Sequence, residues 1–209
     1  KPAYISLPLT SEQINTIPGD AQLFVVKLEK IDVELSWVLQ GQGKVESGRI
    51  KSFTDISTGL PFPGVREGGT YLFLQALSPV GFVTGTVTKE TQPVSGAVIF
   101  VDSVNTQDIK AVSKGTGTYV QVGFIGDLEL TAKDLAARDQ GSGTAVIENR
   151  ADIVTLNLNI LKTGPQLLSI TPQNNAKAVP LNSKITFIFS EPVNAATFTE
   201  QTVYIKYNE

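Results

Sequence analysis

The chain has 209 residues, a formal net charge of −3, and neither histidine nor cysteine nor methionine. The absence of cysteine excludes disulfides, thiolate nucleophiles and cysteine-based metal sites. The absence of histidine removes the commonest general base and the usual zinc ligand. A pI of about 5.1 with scattered lysines gives no electrostatic footprint for nucleic acid. We therefore expect a protein that is not an enzyme and that holds no cofactor and no metal.

Short runs of valine, isoleucine and threonine, separated by glycine and proline, are typical of an all-β protein. No convincing amphipathic helix is predicted, and no apolar run is long enough for a membrane-spanning helix. The predicted fold class is all-β, with tandem small β-sandwich modules. Because no initiator methionine is present, we expect the chain to be a piece of a longer protein.

Residues 1–80 are interpreted as an N-terminal β-sandwich-like module, complete or lacking its first strands. An extended lead-in over 1–18 precedes a buried strand at 21–28. Apolar and polar residues then alternate over 31–39, which predicts one strand with Val33, Leu35 and Trp37 on its buried face. Glycines within 41–43 are expected to break it. Further strands are predicted at 48–53 and 69–74.

Residues 81–161 are interpreted as a complete β-sandwich of seven strands. The opening strand alternates over 83–88, and 97–101 is apolar on both faces. A glycine turn is predicted at 141–143. The other strands are predicted at 109–113, 119–122, 128–132, 144–148 and 153–160. Alternation within them places Leu128, Leu130, Leu156 and Leu158 in the core.

The middle stretch resembles carboxypeptidase regulatory-like modules, which have a transthyretin-like or Cna B-type sandwich fold. The matching residues are Gly-Thr-Val at 85–87, Pro-Val-Ser-Gly-Ala-Val at 93–98, Gly-Thr-Tyr at 117–119 and Gly-Asp-Leu-Glu-Leu-Thr-Ala at 126–132. The resemblance covers nearly all of residues 81–161. It implies an accessory module without catalytic activity.

Residues 165–209 resemble the start of a bacterial Ig-like domain of the kind found in S-layer and other surface proteins. The family's hallmark, a strand ending in Phe-Ser-Glu-Pro-Val, stands at 189–193. Strands are predicted at 167–171, 185–190 and 202–206. A whole sandwich of this type needs ~100 residues, so we interpret this stretch as a first half. Its open strand edges predict packing on other modules of the same parent chain, or a homodimer through this incomplete module.

Cna B-type modules can form an isopeptide bond between lysine and asparagine, assisted by a buried acid. The resemblance therefore makes Lys89, Asn157 or Asn159, and Glu129 candidates for this chemistry. However, alternation points both asparagines and Glu129 outward, away from inward residues such as Leu158. We accordingly interpret them as parts of solvated strand faces and assign no catalytic, cofactor-binding or metal-binding residue.

Two binding functions were weighed against ordinary structural roles. Aromatic side chains could form a stacking platform for a sugar, although most aromatic residues of a sandwich lie in its core. The candidates for this platform are Trp37, Tyr71, Phe73, Tyr119 and Phe124. Aspartates could supply oxygen ligands for calcium, although no Asp-x-Asp-x-Asp spacing concentrates them. The available aspartates are Asp102, Asp108, Asp127, Asp134, Asp139 and Asp152.

The predicted function is a structural, spacer or adhesion segment of a larger bacterial extracellular or cell-surface protein. Attachment to an outer membrane would come through the parent protein. The alternative is a carbohydrate-binding accessory region of a secreted polysaccharide-active enzyme, with a glycan as its partner. Clear hits on a glycan array are expected only for the alternative.

Overall fold

Short extended segments dominate the fold, as the composition predicts. The computed structural model describes residues 3–53, 59–102, 109–161, 167–180, 182–190 and 193. Within these ranges the helix is α1 (Ser11–Thr16). The strands are β1 (Ser6–Pro8), β2 (Leu23–Ile31), β3 (Glu34–Glu46), β4 (Arg49–Phe53), β5 (Tyr71–Gln75), β6 (Val80–Lys89), β7 (Gln92–Pro93), β8 (Val98–Asp102), β9 (Ile109–Val112), β10 (Thr118–Phe124), β11 (Gly126–Asp134), β12 (Asp139–Ile147), β13 (Ile153–Thr155), β14 (Leu158–Ile160), β15 (Leu167–Thr171) and β16 (Thr186–Phe189). The all-β fold class is confirmed.

The chain divides into two compact units, Lys1–Lys162 and Thr163–Glu209. In the first unit, nine strands form one sheet in the order β1-β4-β3-β9-β8-β11-β12, with β2 paired to β3 and β5 paired to β2. The second sheet of this unit has the order β10-β6-β13, and β14 and β7 also pair with β6. Strands from both sides of residue 80 therefore share the larger sheet. The division of this unit into modules at residues 80/81 stays a prediction.

The start of the chain is more structured than the predicted extended lead-in. Helix α1 lies there because Thr10 and Gln13 form a capping box. The Thr10 hydroxyl accepts a hydrogen bond from the Gln13 backbone N–H at 3.2 Å, and the Gln13 side chain accepts one from the Thr10 backbone N–H at 2.9 Å. The three prolines in the first 18 residues favoured the prediction of an extended chain over that of a short helix.

The predicted single strand over 31–39 is wrong, because a tight turn divides it. Strand β2 ends at Ile31 and β3 begins at Glu34, with Asp32 at a φ of 56° in the turn. The predicted burial is also reversed, since Val33 is 80% exposed and Ser36 only 4% exposed. Strand β9 pairs with β3 beside this point, and Lys110 of β9 donates a hydrogen bond to the Ser36 hydroxyl on the buried face.

The predicted break at 41–43 is wrong as well, since β3 runs straight through to Glu46. A Cβ on Gly43 would lie 3.1 Å from both Leu23 Cβ and Phe73 Cδ1. Glycine at this position thus lets two side chains pack closely against the strand. It does not end the strand.

Strand boundaries also differ in the second half of this unit. The predicted turn at 141–143 lies inside β12, and the chain turns at 135–138 instead. The predicted strand 153–160 is interrupted between β13 and β14. The predicted facing is confirmed for the residues that matter most: Leu128, Leu130 and Leu158 are buried at 3%, 0% and 1% exposure.

Two hydrophobic clusters fill the first unit. The larger lies between the sheets and comprises Val83, Val87, Ala97, Ile99, Ala111, Tyr119, Leu128, Leu130, Ala132, Ala145, Ile147, Leu158 and Ile160. The smaller comprises Phe24, Leu39, Leu60, Phe62, Val80, Phe82 and Val120. This smaller cluster, here termed the junction core, takes residues from both sides of position 80.

In the second unit, β15 and β16 form an antiparallel hairpin. The Phe187 and Phe189 rings stack with centroids 6.4 Å apart. Leu167 and Ile188 of the same hairpin are 51% and 53% exposed. The strand predicted at 202–206 and the Glu-Pro pair of the hallmark lie outside the described residues.

Candidate functional site

Asp134 and Asp152, two of the candidate calcium ligands, accept hydrogen bonds from backbone N–H groups close to them in sequence. Across the described residues, no group of three or more acidic side chains is placed to hold a metal ion. Asp134 Oδ1 accepts hydrogen bonds from the backbone N–H groups of Ala136 and Ala137, at 3.1 and 3.2 Å. Asp152 Oδ2 accepts one from the Asn149 N–H at 2.7 Å. The side chain of Asp102 and all of Asp108 lie outside the described residues, and Asp127 is exposed.

The candidate isopeptide residues do not converge. Lys89 Nζ lies 2.5 Å from Oδ2 of Asp139, which is 4% exposed. The hydrogen bond to this carboxylate raises the pKa of Lys89. Asn157 and Asn159 instead accept hydrogen bonds from threonines of β6, and Glu129 is exposed. The lysine therefore forms an ion pair with Asp139, which the sequence indicated only as a possible calcium ligand.

The five aromatic residues do not form one platform, although the half-buried Tyr71 and Phe73 lie on the same face of β5. Tyr119 is fully buried, and its hydroxyl donates a hydrogen bond to the Leu156 carbonyl at 2.7 Å. Burial raises the pKa of Tyr119. Phe124 packs against the junction core, whereas the hydroxyl of Tyr71 donates to the Glu67 carbonyl at 2.7 Å. Trp37 lies in β3 and is half-buried.

The most developed feature of the first unit is the junction, meaning the contacts between residues 3–79 and residues 80–161, so that the whole of β6 lies on the second side. Phe82 of β6 lies at its centre and is 3% exposed. Its ring meets Phe24 edge-on at 6.1 Å and Phe62 edge-on at 5.8 Å. Such pairs contribute ~0.5–1.5 kcal/mol each beyond the area they bury. Aromatic contacts therefore stabilise the junction core in addition to the area that it buries.

Backbone pairing also crosses the junction. Strand β3 pairs in parallel with β9, with Trp37 opposite Ile109 and Val38 opposite Lys110. The side chain of Lys110 is nearly buried, and its Nζ donates a hydrogen bond to Ser36 Oγ at 2.7 Å. The same ammonium lies 5.2 Å from the centre of the Phe100 ring. A charged group is thus stabilised in the interior by contacts from both halves.

Gln22 and Val80 form a second polar contact across the junction. Gln22 Nε2 donates to the Val80 carbonyl at 2.8 Å, and Val80 N–H donates to Gln22 Oε1 at 3.0 Å. Both polar ends of one side-chain amide are therefore satisfied by one residue of β6. This arrangement holds the start of β6 in a fixed register against the chain that leads into β2.

Two further side chains bridge the halves at the edge of the junction. Arg150 contacts both the carboxylate and the carbonyl of Asp20, and its Nη1 lies 2.6 Å from Asp20 Oδ2. The hydrogen bond from Arg150 lowers the pKa of Asp20. Lys114 Nζ donates to the Phe62 carbonyl at 2.8 Å. Burial, with a smaller contribution from the charge on Arg66, lowers the pKa of Lys114.

Sequence reasoning missed the junction because its contacts are distant in sequence. Gln22 and Val80 are separated by 58 positions, and Ser36 and Lys110 by 74. Local alternation predicts that a strand has a buried face but does not identify the partner that buries it. The sequence feature that could have indicated the junction is the strongly apolar start of β6. Val80, Phe82 and Val83 there are consistent with a strand that is buried on both faces.

Comparison with known families matches residues 161–209 to the bacterial Ig-like domain. The predicted resemblance of the C-terminal stretch to that domain is confirmed. The resemblance of residues 81–161 to carboxypeptidase regulatory-like modules stays a prediction. No curated protein matches the chain. None of the described helices has the length and apolar character needed to cross a membrane.

Several solved structures show a weak similarity. A DUF3823 family protein from Parabacteroides merdae is 18% identical, with 43% of this chain and 52% of that chain covered and a TM-score of 0.33. The TIE protein of Bacillus anthracis is 8% identical, with 78% of this chain and 34% of that chain covered and a TM-score of 0.34. BcpA, the major pilin subunit of Bacillus cereus, is 11% identical, with 69% of this chain and 60% of that chain covered and a TM-score of 0.32. The chain therefore spans between about a third and three fifths of these proteins, and similarity at this level establishes no shared function.

Proposed function

We propose that the chain is a non-catalytic structural segment of a larger bacterial extracellular or cell-surface protein, in which residues 3–161 act as one rigid spacer. The bacterial Ig-like match over residues 161–209 supports the surface location. The junction carries the proposal of rigidity. A buried aromatic core, a parallel strand pair and paired polar groups join its halves, and a flexible linker would supply none of these.

The physical reason for rigidity is that hinge motion would break several unlike contacts at once. Rotation about position 80 would open the edge-to-face contacts of Phe82 and leave buried polar groups unpaired. Leaving one such group unpaired costs ~1–3 kcal/mol. Lys110 adds to this cost, because its charged Nζ would lose the Ser36 hydroxyl. Bending of this unit is therefore coupled to disruption of its core.

The test of rigidity is a distance distribution between two spin labels on the whole chain. Because the protein has no cysteine, labels attach only to introduced ones. Val33→Cys and Ala137→Cys place exposed labels on opposite sides of the junction, whereas Gln92→Cys with Ala137→Cys keeps both in one half. We expect equally narrow distributions for the two pairs. A broad or two-peaked distribution for the first pair alone would overturn the proposal.

The proposed location has a separate test in the cells that produce the parent protein. An antibody against this chain should label intact cells, and protease added to intact cells should abolish the labelling. Labelling that appears only after lysis would contradict a surface location. This outcome would leave the rigidity of residues 3–161 unaffected, so the two parts of the proposal can fail independently.

A further inference from the structure

Strand β6 pairs in parallel with both β13 and β14. Phe82 lies opposite Ile153 at one end of this ladder, and Lys89 lies opposite Ile160 at the other. The chain therefore enters β6 at Val80 and leaves β14 at Ile160, at opposite ends of a ten-residue strand. At 3.3 Å per residue these points are about 30 Å apart along the strand direction.

This geometry decides how tension acts on the hydrogen bonds. Pulling Val80 and Ile160 apart slides parallel strands past each other, along their length and roughly perpendicular to their hydrogen bonds. All the bonds of the ladder then resist together. Pulling the same strands apart from one end would instead break the bonds in succession. A parallel pair with its entry and exit at opposite ends is therefore the resistant arrangement.

The ladder is continuous even though β13 and β14 are separate strands. Before the gap, the Leu156 N–H donates to the Thr84 carbonyl at 2.8 Å. At the gap, Asn157 Oδ1 accepts hydrogen bonds from both the backbone N–H and the hydroxyl of Thr86, each at 3.0 Å. The side chain of Asn157 thus replaces the missing backbone acceptor. The ladder resumes with Leu158 opposite Val87.

The residues around the gap are shaped for this contact. A Cβ on Gly85 would lie 2.0 Å from the Leu156 carbonyl oxygen, so only glycine permits the close approach. The same carbonyl accepts the hydroxyl hydrogen bond of the buried Tyr119. Leu158 and Ile160 anchor the following strand in the core at 1% exposure each. The connecting segment is therefore held from the side of β6 and from the interior.

Both ends of the ladder are also fastened. At the entry, the Ala151 N–H donates to the Val80 carbonyl at 2.8 Å, and the Phe82 N–H donates to the Asp152 carbonyl at 2.7 Å. At the exit, the Leu161 N–H donates to the Gln140 carbonyl at 3.1 Å, which ties the end of the ladder to the larger sheet. Neither end offers a loose residue from which stepwise separation would begin.

We propose that β6, β13 and β14 form a mechanical clamp that resists tension along the chain, with Asn157 as the side chain that completes it. The inference deepens the proposed structural role and rests on it, since a clamp has a function only in a segment that is pulled. The force would enter through the residues that precede Val80 and leave through those that follow Ile160.

The test is single-molecule pulling of the full chain between two introduced cysteines. Ser78→Cys and Leu161→Cys attach handles at the entry and exit and load the ladder in shear. Glu90→Cys and Leu161→Cys attach both handles at the same end of the ladder and separate the strands stepwise. We expect a clearly higher rupture force for the first pair. Equal rupture forces in the two directions would overturn the clamp.

Asn157 has its own matched variants in the same experiment. Asn157→Ala should raise the unfolding rate under shear about fivefold, because the hydrogen bond from the Thr86 backbone N–H contributes ~1 kcal/mol, while the partly exposed Thr86 hydroxyl can bond to water instead. Asn157→Asp keeps the acceptor oxygen and should restore the rate. Asn159→Ala is the control, since its Oδ1 contacts only the Thr88 hydroxyl, at 3.4 Å.

The direction of pulling separates the clamp from a general loss of stability. Asn157→Ala should change the shear rate more than the stepwise rate, whereas a merely structural residue would change both equally. An equal change in both directions would refute the role of Asn157. Failure of the surface-labelling test would remove the proposed biological setting but would not alter either force measurement.

Discussion

Replacing Phe82 by alanine tests whether the junction couples the two halves of the first unit. Phe82 is 3% exposed and touches the rings of Phe24 and Phe62. A buried Phe→Ala change costs ~3–5 kcal/mol, which is a large part of the ~5–15 kcal/mol that a domain has. Because these partners precede residue 80 while Phe82 follows it, we expect both halves to lose this stability together.

The chain offers a fluorescent probe on the first half's side of the junction. Trp37 is its single tryptophan and lies in β3, whereas the substitution lies in β6. In urea unfolding with a slope of ~2.5 kcal/mol per molar, a loss of ~4 kcal/mol moves the midpoint by about 1.5 M. We expect the Trp37 fluorescence midpoint to fall by this amount in Phe82→Ala, with an unchanged slope.

The control is Val146→Ala, because Val146 is 50% exposed in β12 and away from the junction core. Its free energy of unfolding should stay within ~0.5 kcal/mol of that of the unsubstituted chain. If the Trp37 transition of Phe82→Ala stayed at the parent midpoint while circular dichroism showed a destabilised second half, the halves would be independent. The idea of one rigid spacer would then be refuted.

Four further outcomes are expected. Leu158→Ala should cost ~2–5 kcal/mol in urea unfolding and the exposed Asn157→Ala only ~1 kcal/mol, and equal costs would mean that the facing of β14 is wrong. Because Asp139 raises the pKa of Lys89, their pair should stabilise the fold fully below the ordinary lysine pKa of ~10.4 and lose that effect as pH rises through the higher folded value; Asp139→Asn should remove this alkaline loss from melting curves. EDTA should leave the melting temperature unchanged, and a drop reversed by calcium would contradict the absence of a metal. Light scattering should show a dimer that Ile188→Asp abolishes, since Ile188 is 53% exposed, and a monomeric parent chain would exclude pairing through this hairpin.

Alternation predicted the facing of strands wherever the covering partner is itself apolar. The larger hydrophobic cluster brings together Leu128 and Leu130 of β11 with Leu158 and Ile160 of β14. All four side chains are buried. In such a region polar residues have only the solvent face available. Period-two spacing then contains all the information that the facing of a strand requires.

Alternation failed where a polar group finds a partner in the interior. At the start of β3 the apolar residues point outward because Ser36 meets Lys110 inside. In β12 a predicted glycine turn is instead extended strand, since a Cβ on Gly141 would lie 1.9 Å from the Asn159 carbonyl oxygen. In both cases the deciding neighbour lies on a distant strand. The sequence contains Ser36 and Gly141 but does not identify the neighbour that each of them contacts.

The same limit explains why the candidate site emerged from the structure. A catalytic site would concentrate reactive side chains, and the sequence offers few candidates for one. A structural role depends instead on where ordinary contacts lie along the chain. Asn157 is an exposed asparagine like many others until its Oδ1 is seen to accept from Thr86 at the interruption of a ladder.

Val80 connects the junction to the proposed clamp. Its carbonyl accepts one hydrogen bond from Gln22 Nε2 and another from the Ala151 N–H, each at 2.8 Å, which uses both lone pairs of the oxygen. The first bond belongs to the junction and the second to the entry of the ladder. Tension that reaches β6 from the preceding residues therefore meets a strand end already fixed to both halves. Tension applied between Val80 and Ile160 loads the ladder in shear, because the two residues lie at its opposite ends.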